Sequence, residues 1–168
     1  MVPIIVIISS LFFDGFLTNY LPYSKDSLSL FTPLLTVVSF ILIYPFYRKK
    51  LKKYYTTSIV VGLIYDLLYT NLLFINSILF LIIAYITKII YKNIEINHLN
   101  IIILSIIIIC IYEGLNAIII IIFNLVPITL ESFMYKITHS LLLNIIITEI
   151  IYTIIKYLPK KYKKININ

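Results

Sequence analysis

Long aliphatic stretches, each broken by a few small or polar residues, follow one another along the whole chain. They predict six helices, over about residues 3–21, 28–47, 56–70, 72–91, 99–126 and 133–157. A membrane crossing takes about 20 apolar residues. The third stretch, at 15 residues, therefore predicts a short helix that is tilted, partly buried or re-entrant. Irregular backbone survives at membrane depth only where protein covers it. Asn71 and Asn76 mark the turn after it weakly, and stretches three and four read as a helical hairpin. The expected fold is all-α: one integral membrane bundle of six helices with the third short, followed by a basic cytoplasmic tail over residues 158–168.

The polar positions inside these stretches recur at helical spacing. Ser10, Asp14 and Thr18 are four apart, as are Ser58, Gly62, Asp66 and Thr70. The fifth stretch holds Tyr112, Glu113 and Asn116, and the sixth holds Lys136, Ser140, Asn144, Thr148 and Tyr152. Residues four apart share a helix face, so each helix is expected to carry one narrow polar stripe. A carboxylate at mid-bilayer costs about 2.5–3.5 kcal/mol on insertion scales. Asp14, Asp66 and Glu113 must then face the bundle interior or a wet cavity, protonated or bonded to hydroxyls and amides of neighbouring helices. No basic residue is expected at their depth. Gly62, one turn before Asp66, lets a second helix approach closely. Gly62, Asp66, Asp14, Glu113, Asn116 and Asn76 are thus the candidate core or partner-binding residues.

Composition fixes the class. Hydrophobic residues make up 61% of the 168 and charged residues 12%, against about 45–50% and 25% in soluble domains. That excludes an ordinary soluble fold, and the aliphatic content excludes a disordered chain. The first stretch lacks a basic n-region and a small-residue cleavage site, and Asp14 interrupts it, so it is expected to be retained rather than cleaved as a signal peptide.

Charge then orients the bundle. Arg48, Lys49, Lys50, Lys52 and Lys53 follow the second stretch, Lys88 and Lys92 follow the fourth, and Lys156, Lys160, Lys161, Lys163 and Lys164 follow the sixth. Those twelve share one side of a six-span topology, leaving Lys25 and Lys136 on the other. Basic loops stay in the cytoplasm, so both termini are expected there. The net charge of +7 is an orientation marker rather than a nucleic-acid signal. The same basic face suits anionic lipid head groups or a cytoplasmic partner, each charge being worth about 1 kcal/mol near an anionic leaflet.

No catalytic constellation is legible. The three glycines are isolated and form no phosphate loop, and no HExxH pair or nucleophile elbow occurs. Cys110 stands alone, without zinc spacing. His139 and Glu149 are ten residues apart, about 15 Å along a helix, too far to relay a proton. His139 reads as an interfacial residue and Glu149 as reaching toward water. The expectation is no enzyme, no metal and no cofactor.

The run Ser58-Ile-Val-Val-Gly62-Leu-Ile-Tyr-Asp66-Leu-Leu-Tyr, followed by Asn76 to Ala84-Tyr85, resembles the MreD family of rod shape-determining membrane proteins. Phe31-Thr-Pro33 at the second stretch and the basic loop before the third are also similar. One departure is the loop after Asp66, which in that family carries Gly and Pro and here reads Tyr69-Thr-Asn-Leu-Leu-Phe-Ile-Asn76. The resemblance implies a non-enzymatic subunit of the bacterial inner membrane. Its implied partners are membrane lipid, the single-span MreC, the actin-like MreB, the RodA glycosyltransferase and a penicillin-binding transpeptidase, together directing lateral peptidoglycan synthesis. It also implies a fold similar to the S components of energy-coupling-factor vitamin transporters. Vitamin binding is accordingly the alternative function, with Tyr23, Asn71, Asn76 and Glu131 as its outer-loop candidates.

Overall fold

The computed structural model describes residues 2–20, 33–70, 72–92, 94, 97–124 and 129–157. Six helices account for nearly all of them: α1 (Val2–Tyr20), α2 (Leu35–Tyr47), α3 (Leu51–Tyr69), α4 (Ile75–Tyr91), α5 (His98–Ile122) and α6 (Leu130–Tyr157). No strand occurs among the described residues. Lys25, Asn71, Tyr23, the tail lysines Lys160, Lys161, Lys163 and Lys164, and residues 28–32 of the expected second helix lie outside them.

The bundle has a largely apolar core, as a soluble protein does, but an apolar exterior as well. Asp14, Asp66, Asn76, Glu113, Ser140 and Asn144 are buried, while Ile4, Phe12, Leu67, Ile121, Leu142 and Ile154 stand exposed. An apolar exterior, with the polar side chains drawn inside a largely apolar core, is what a hydrocarbon solvent selects. Helices α1, α5 and α6, at 19, 25 and 28 residues, are long and apolar enough to cross a membrane.

α2 is the hub. It packs on all five other helices, which surround it in the order α1, α3, α4, α5, α6, each against the next. Every residue from Leu35 to Tyr44 is buried, as expected of a helix that is apolar on all sides. Pro45 removes the N–H that would serve the Ile41 carbonyl one turn earlier, and the Tyr91 hydroxyl of α4 donates to that carbonyl at 2.8 Å. Tyr54 of α3 likewise donates to the Phe40 carbonyl at 2.9 Å.

Two expected boundaries move. The 15-residue apolar stretch expected as a short third helix lies in a helix of 19 residues, because Leu51 to Tyr55, with Lys52 and Lys53, continue the helix beyond the apolar part. The least extended helix is α2, with 13 residues. Pro33 and Leu34 precede it as non-helical backbone within the expected 28–47 stretch. At 1.5 Å per residue α2 is only about 20 Å long, short of the roughly 30 Å hydrocarbon layer. Its N-terminus therefore lies inside the bundle.

Candidate functional site

A helix that begins in an apolar interior exposes N–H groups that nothing in its own backbone can satisfy. α2 solves this with side chains from two other helices. Asp14 on α1 accepts the Leu35 N–H through one carboxylate oxygen at 2.7 Å and the Thr36 N–H through the other at 2.8 Å. Asn144 on α6 accepts the Leu34 N–H through Oδ1 at 2.7 Å and donates through Nδ2 to the Ser140 carbonyl at 2.7 Å. The negative carboxylate also meets the positive end of the α2 dipole.

The α3–α4 hairpin repeats the device. Asp66 accepts the Asn76 main-chain N–H, 3.2 Å from each oxygen, and the Asn76 side-chain N–H at 2.8 Å. Thr70 donates to the same carboxylate at 3.1 Å. The Tyr112 hydroxyl of α5 then donates to Asn76 Oδ1 at 2.8 Å, so one buried chain of hydrogen bonds ties α3, α4 and α5 together. Gly62 makes this approach possible, since a Cβ there would lie 2.4 Å from Ser77 Cα and 2.7 Å from the Asn76 carbonyl oxygen. Gly15 serves a second close approach. Tyr69 reaches past it to donate to the Leu11 carbonyl at 2.7 Å, and a Cβ at Gly15 would lie 2.5 Å from the Tyr69 hydroxyl.

Glu113 overturns one expectation. A basic residue does reach its depth: Lys136 Nζ on α6 lies 2.8 Å from Glu113 Oε2, with the glutamate 2% and the lysine 27% exposed. The four-carbon lysine stem lets the ammonium reach inward to the buried carboxylate. Glu113 Oε1 is buried without a hydrogen-bond partner. Asn116, on the following turn, is half-buried and forms no side-chain hydrogen bond among the described residues. The structure therefore joins Asp66, Asn76 and Gly62 in one cluster, places Asp14 at the start of α2, pairs Glu113 with Lys136, and leaves Asn116 apart from all three.

Glu149, 24% exposed, is also paired. It lies 2.9 Å from His98 Nδ1, and Lys156 Nζ lies 2.8 Å from His98 Nε2. The stem of α6 brings both residues beside the first turn of α5, a proximity invisible to spacing because they are 51 and 58 positions from His98. His139 stacks on Tyr135 with ring centroids 3.9 Å apart. Arg48, Lys49, Lys50, Lys52 and Lys53 are exposed where α2 passes into α3. The Tyr44 ring of α2 lies beneath them, 4.9 Å from Tyr91 and 5.3 Å from Tyr54. Among the described residues no three His, Cys, Asp or Glu side chains converge as a metal group.

An apolar shell around helices joined by buried carboxylates and amides defines a multi-pass α-helical membrane protein. A family model described as rod shape-determining protein MreD matches residues 2–162, nearly the whole chain. The chain belongs to that family. Its role is in rod-shape determination. No curated protein and no solved structure matches the chain. The family match lends nothing to the vitamin-transport alternative.

Proposed function

We propose that the chain is a non-enzymatic scaffold of the complex that inserts peptidoglycan along the side wall of a rod-shaped bacterium. It sits in the inner membrane with both termini in the cytoplasm and offers helix surfaces to an MreC-like single-span protein and to the wall synthases. The observation that carries this reading is the family match along residues 2–162. Two features support it. Asp14, Asp66 and Asn76, the polar groups most suited to bind a ligand, are spent on joining helices. The basic residues Arg48 to Lys53, Lys88, Lys92 and Lys156 gather on helix ends that the positive-inside rule assigns to the cytoplasm.

Depleting the protein in its own host tests the reading. Cells should widen and round, and the chain should co-purify with a single-span wall-synthesis protein. Rod shape persisting through depletion would remove the proposal.

A further inference from the structure

The three odd-numbered helices carry one step in common. Phe13-Asp14-Gly15, Tyr65-Asp66-Leu67 and Tyr112-Glu113-Gly114 each set an aromatic residue before a buried acid. In the first two, a threonine four residues on bonds back to the carbonyl of the acid, Thr18 to Asp14 at 2.7 Å and Thr70 to Asp66 at 3.2 Å. In both, the carboxylate receives N–H groups at the start of the next helix, Leu35 and Thr36 of the α2 start and Asn76 of α4.

The third hairpin breaks this pattern at one point. α6 does not start at the level of Glu113 but at Leu130, so its backbone donors at that level are consumed within the helix. Lys136 supplies a single cation instead. Glu113 Oε1, on a side chain only 2% exposed, is left with no donor. An unmet buried acceptor in an apolar interior carries a desolvation cost that a native structure rarely leaves standing. Space adjoins it: a Cβ on Gly114 would meet nothing within 4 Å. Beyond this level the hairpin is only partly packed: Leu115 and Ile119 touch the core, but no residue of α5 after Glu113 or of α6 before Ser140 is fully buried among those described.

We infer that Glu113 is the docking point for a second membrane protein, which brings to it the N–H donors that the chain supplies itself at Asp14 and Asp66. The occupant is a partner's membrane helix that presents a basic side chain or its own N-terminal N–H groups beside Gly114, against residues 114–122 and 130–139. Lys136 is the displaceable stand-in. It sits on the half-buried part of the hairpin and is 27% exposed, so it swings to the interface when the partner's donors arrive. This deepens the scaffold reading above and rests on it.

The test uses the full chain in membranes, co-expressed with the MreC-like single-span partner. Photo-crosslinkers go at Ile118 and Met134 on the hairpin, with Phe12 and Leu67 on distant exposed faces as controls. Crosslinks are expected at the two hairpin positions. Glu113→Gln should reduce them at least tenfold, whereas Lys136→Met, which removes the competing cation, should strengthen them. Opposite signs separate a docking point from a structural ion pair, because loss of either member of a structural pair weakens folding and crosslinking alike. The swap Glu113→Lys with Lys136→Glu keeps the pair and should still abolish capture. Crosslinks confined to Phe12 or Leu67, crosslinks only to a second copy of this chain, or equal losses in Glu113→Gln and Lys136→Met would overturn the inference. If the partner fails to co-purify with the unaltered chain at all, the scaffold reading fails, and this inference falls with it.

Discussion

Tyr91 supplies the hydrogen bond that Pro45 cannot. The proline leaves the Ile41 carbonyl without its helical donor, and the tyrosine hydroxyl from the neighbouring helix fills the vacancy at 2.8 Å. The two residues are therefore coupled although they sit on different helices. Tyr91→Phe should cost about 1–3 kcal/mol, the range for an orphaned buried carbonyl. In a Pro45→Ala background, where residue 45 has its own N–H, the same change should cost less than about 0.5 kcal/mol. Thermal unfolding of the four proteins in detergent gives the coupling directly. Equal costs in both backgrounds would show that Tyr91 acts by packing alone.

Asp66 should be sensitive to truncation. Asp66→Ala strands both N–H groups of Asn76 beside Tyr112, and two unmet buried donors at about 1–3 kcal/mol each set the expected loss near 3 kcal/mol. Asp66→Asn keeps one acceptor oxygen and should lose roughly half as much. Chemical denaturation in mixed micelles ranks them. The order wild type, Asn, Ala is required, and an Ala variant as stable as wild type would mean the cluster does not hold α4.

Two glycines in similar helical settings should respond with opposite sign. Gly62→Ala drives a methyl group to 2.4 Å from the α4 backbone, and overpacking of this kind costs about 1–3 kcal/mol. Gly114→Ala meets open space and should stabilise the isolated chain by about 0.5–1 kcal/mol through helix propensity. Melting temperatures of the two variants, measured side by side, check the contrast.

Phe74 precedes α4 with φ at 71°, a left-handed conformation that costs a bulky side chain about 1–3 kcal/mol. Phe74→Gly should recover about 1 kcal/mol of that strain. The same substitution at Leu73, whose φ is not positive among the described residues, should recover nothing. A rise in unfolding temperature for Phe74→Gly and none for Leu73→Gly is the expected result.

Much of this architecture was legible in the residues. Ser10 and Asp14 of the first stripe and Ser58, Gly62 and Asp66 of the second point inward as their spacing requires. Thr18 at the end of α1 is exposed and Thr70 is half-buried, each bonding back to its own helix. The start of α2 was not legible. Leu28 to Tyr47 reads as one apolar run, and the helix begins where Asp14 and Asn144 can serve it, a decision made by other helices. The Glu113–Lys136 pair is not legible in the spacing, because the Lys136 ammonium lies a four-carbon stem away from its backbone. A signal for Glu113 was present nonetheless in the repeated aromatic–acid step at residues 13–14, 65–66 and 112–113, visible only when the three hairpins are laid over one another.

The hydrogen bond from the Leu34 N–H to Asn144 spans 110 positions of the chain. During synthesis, α2 enters the membrane long before α6 has been made, and the N–H of Leu34, just before the helix, lacks its Asn144 acceptor until α6 arrives. The hub of the bundle is thus completed last. A ribosome that stalls after α5 therefore leaves the Leu34 N–H, at the centre of the bundle, without its Asn144 acceptor.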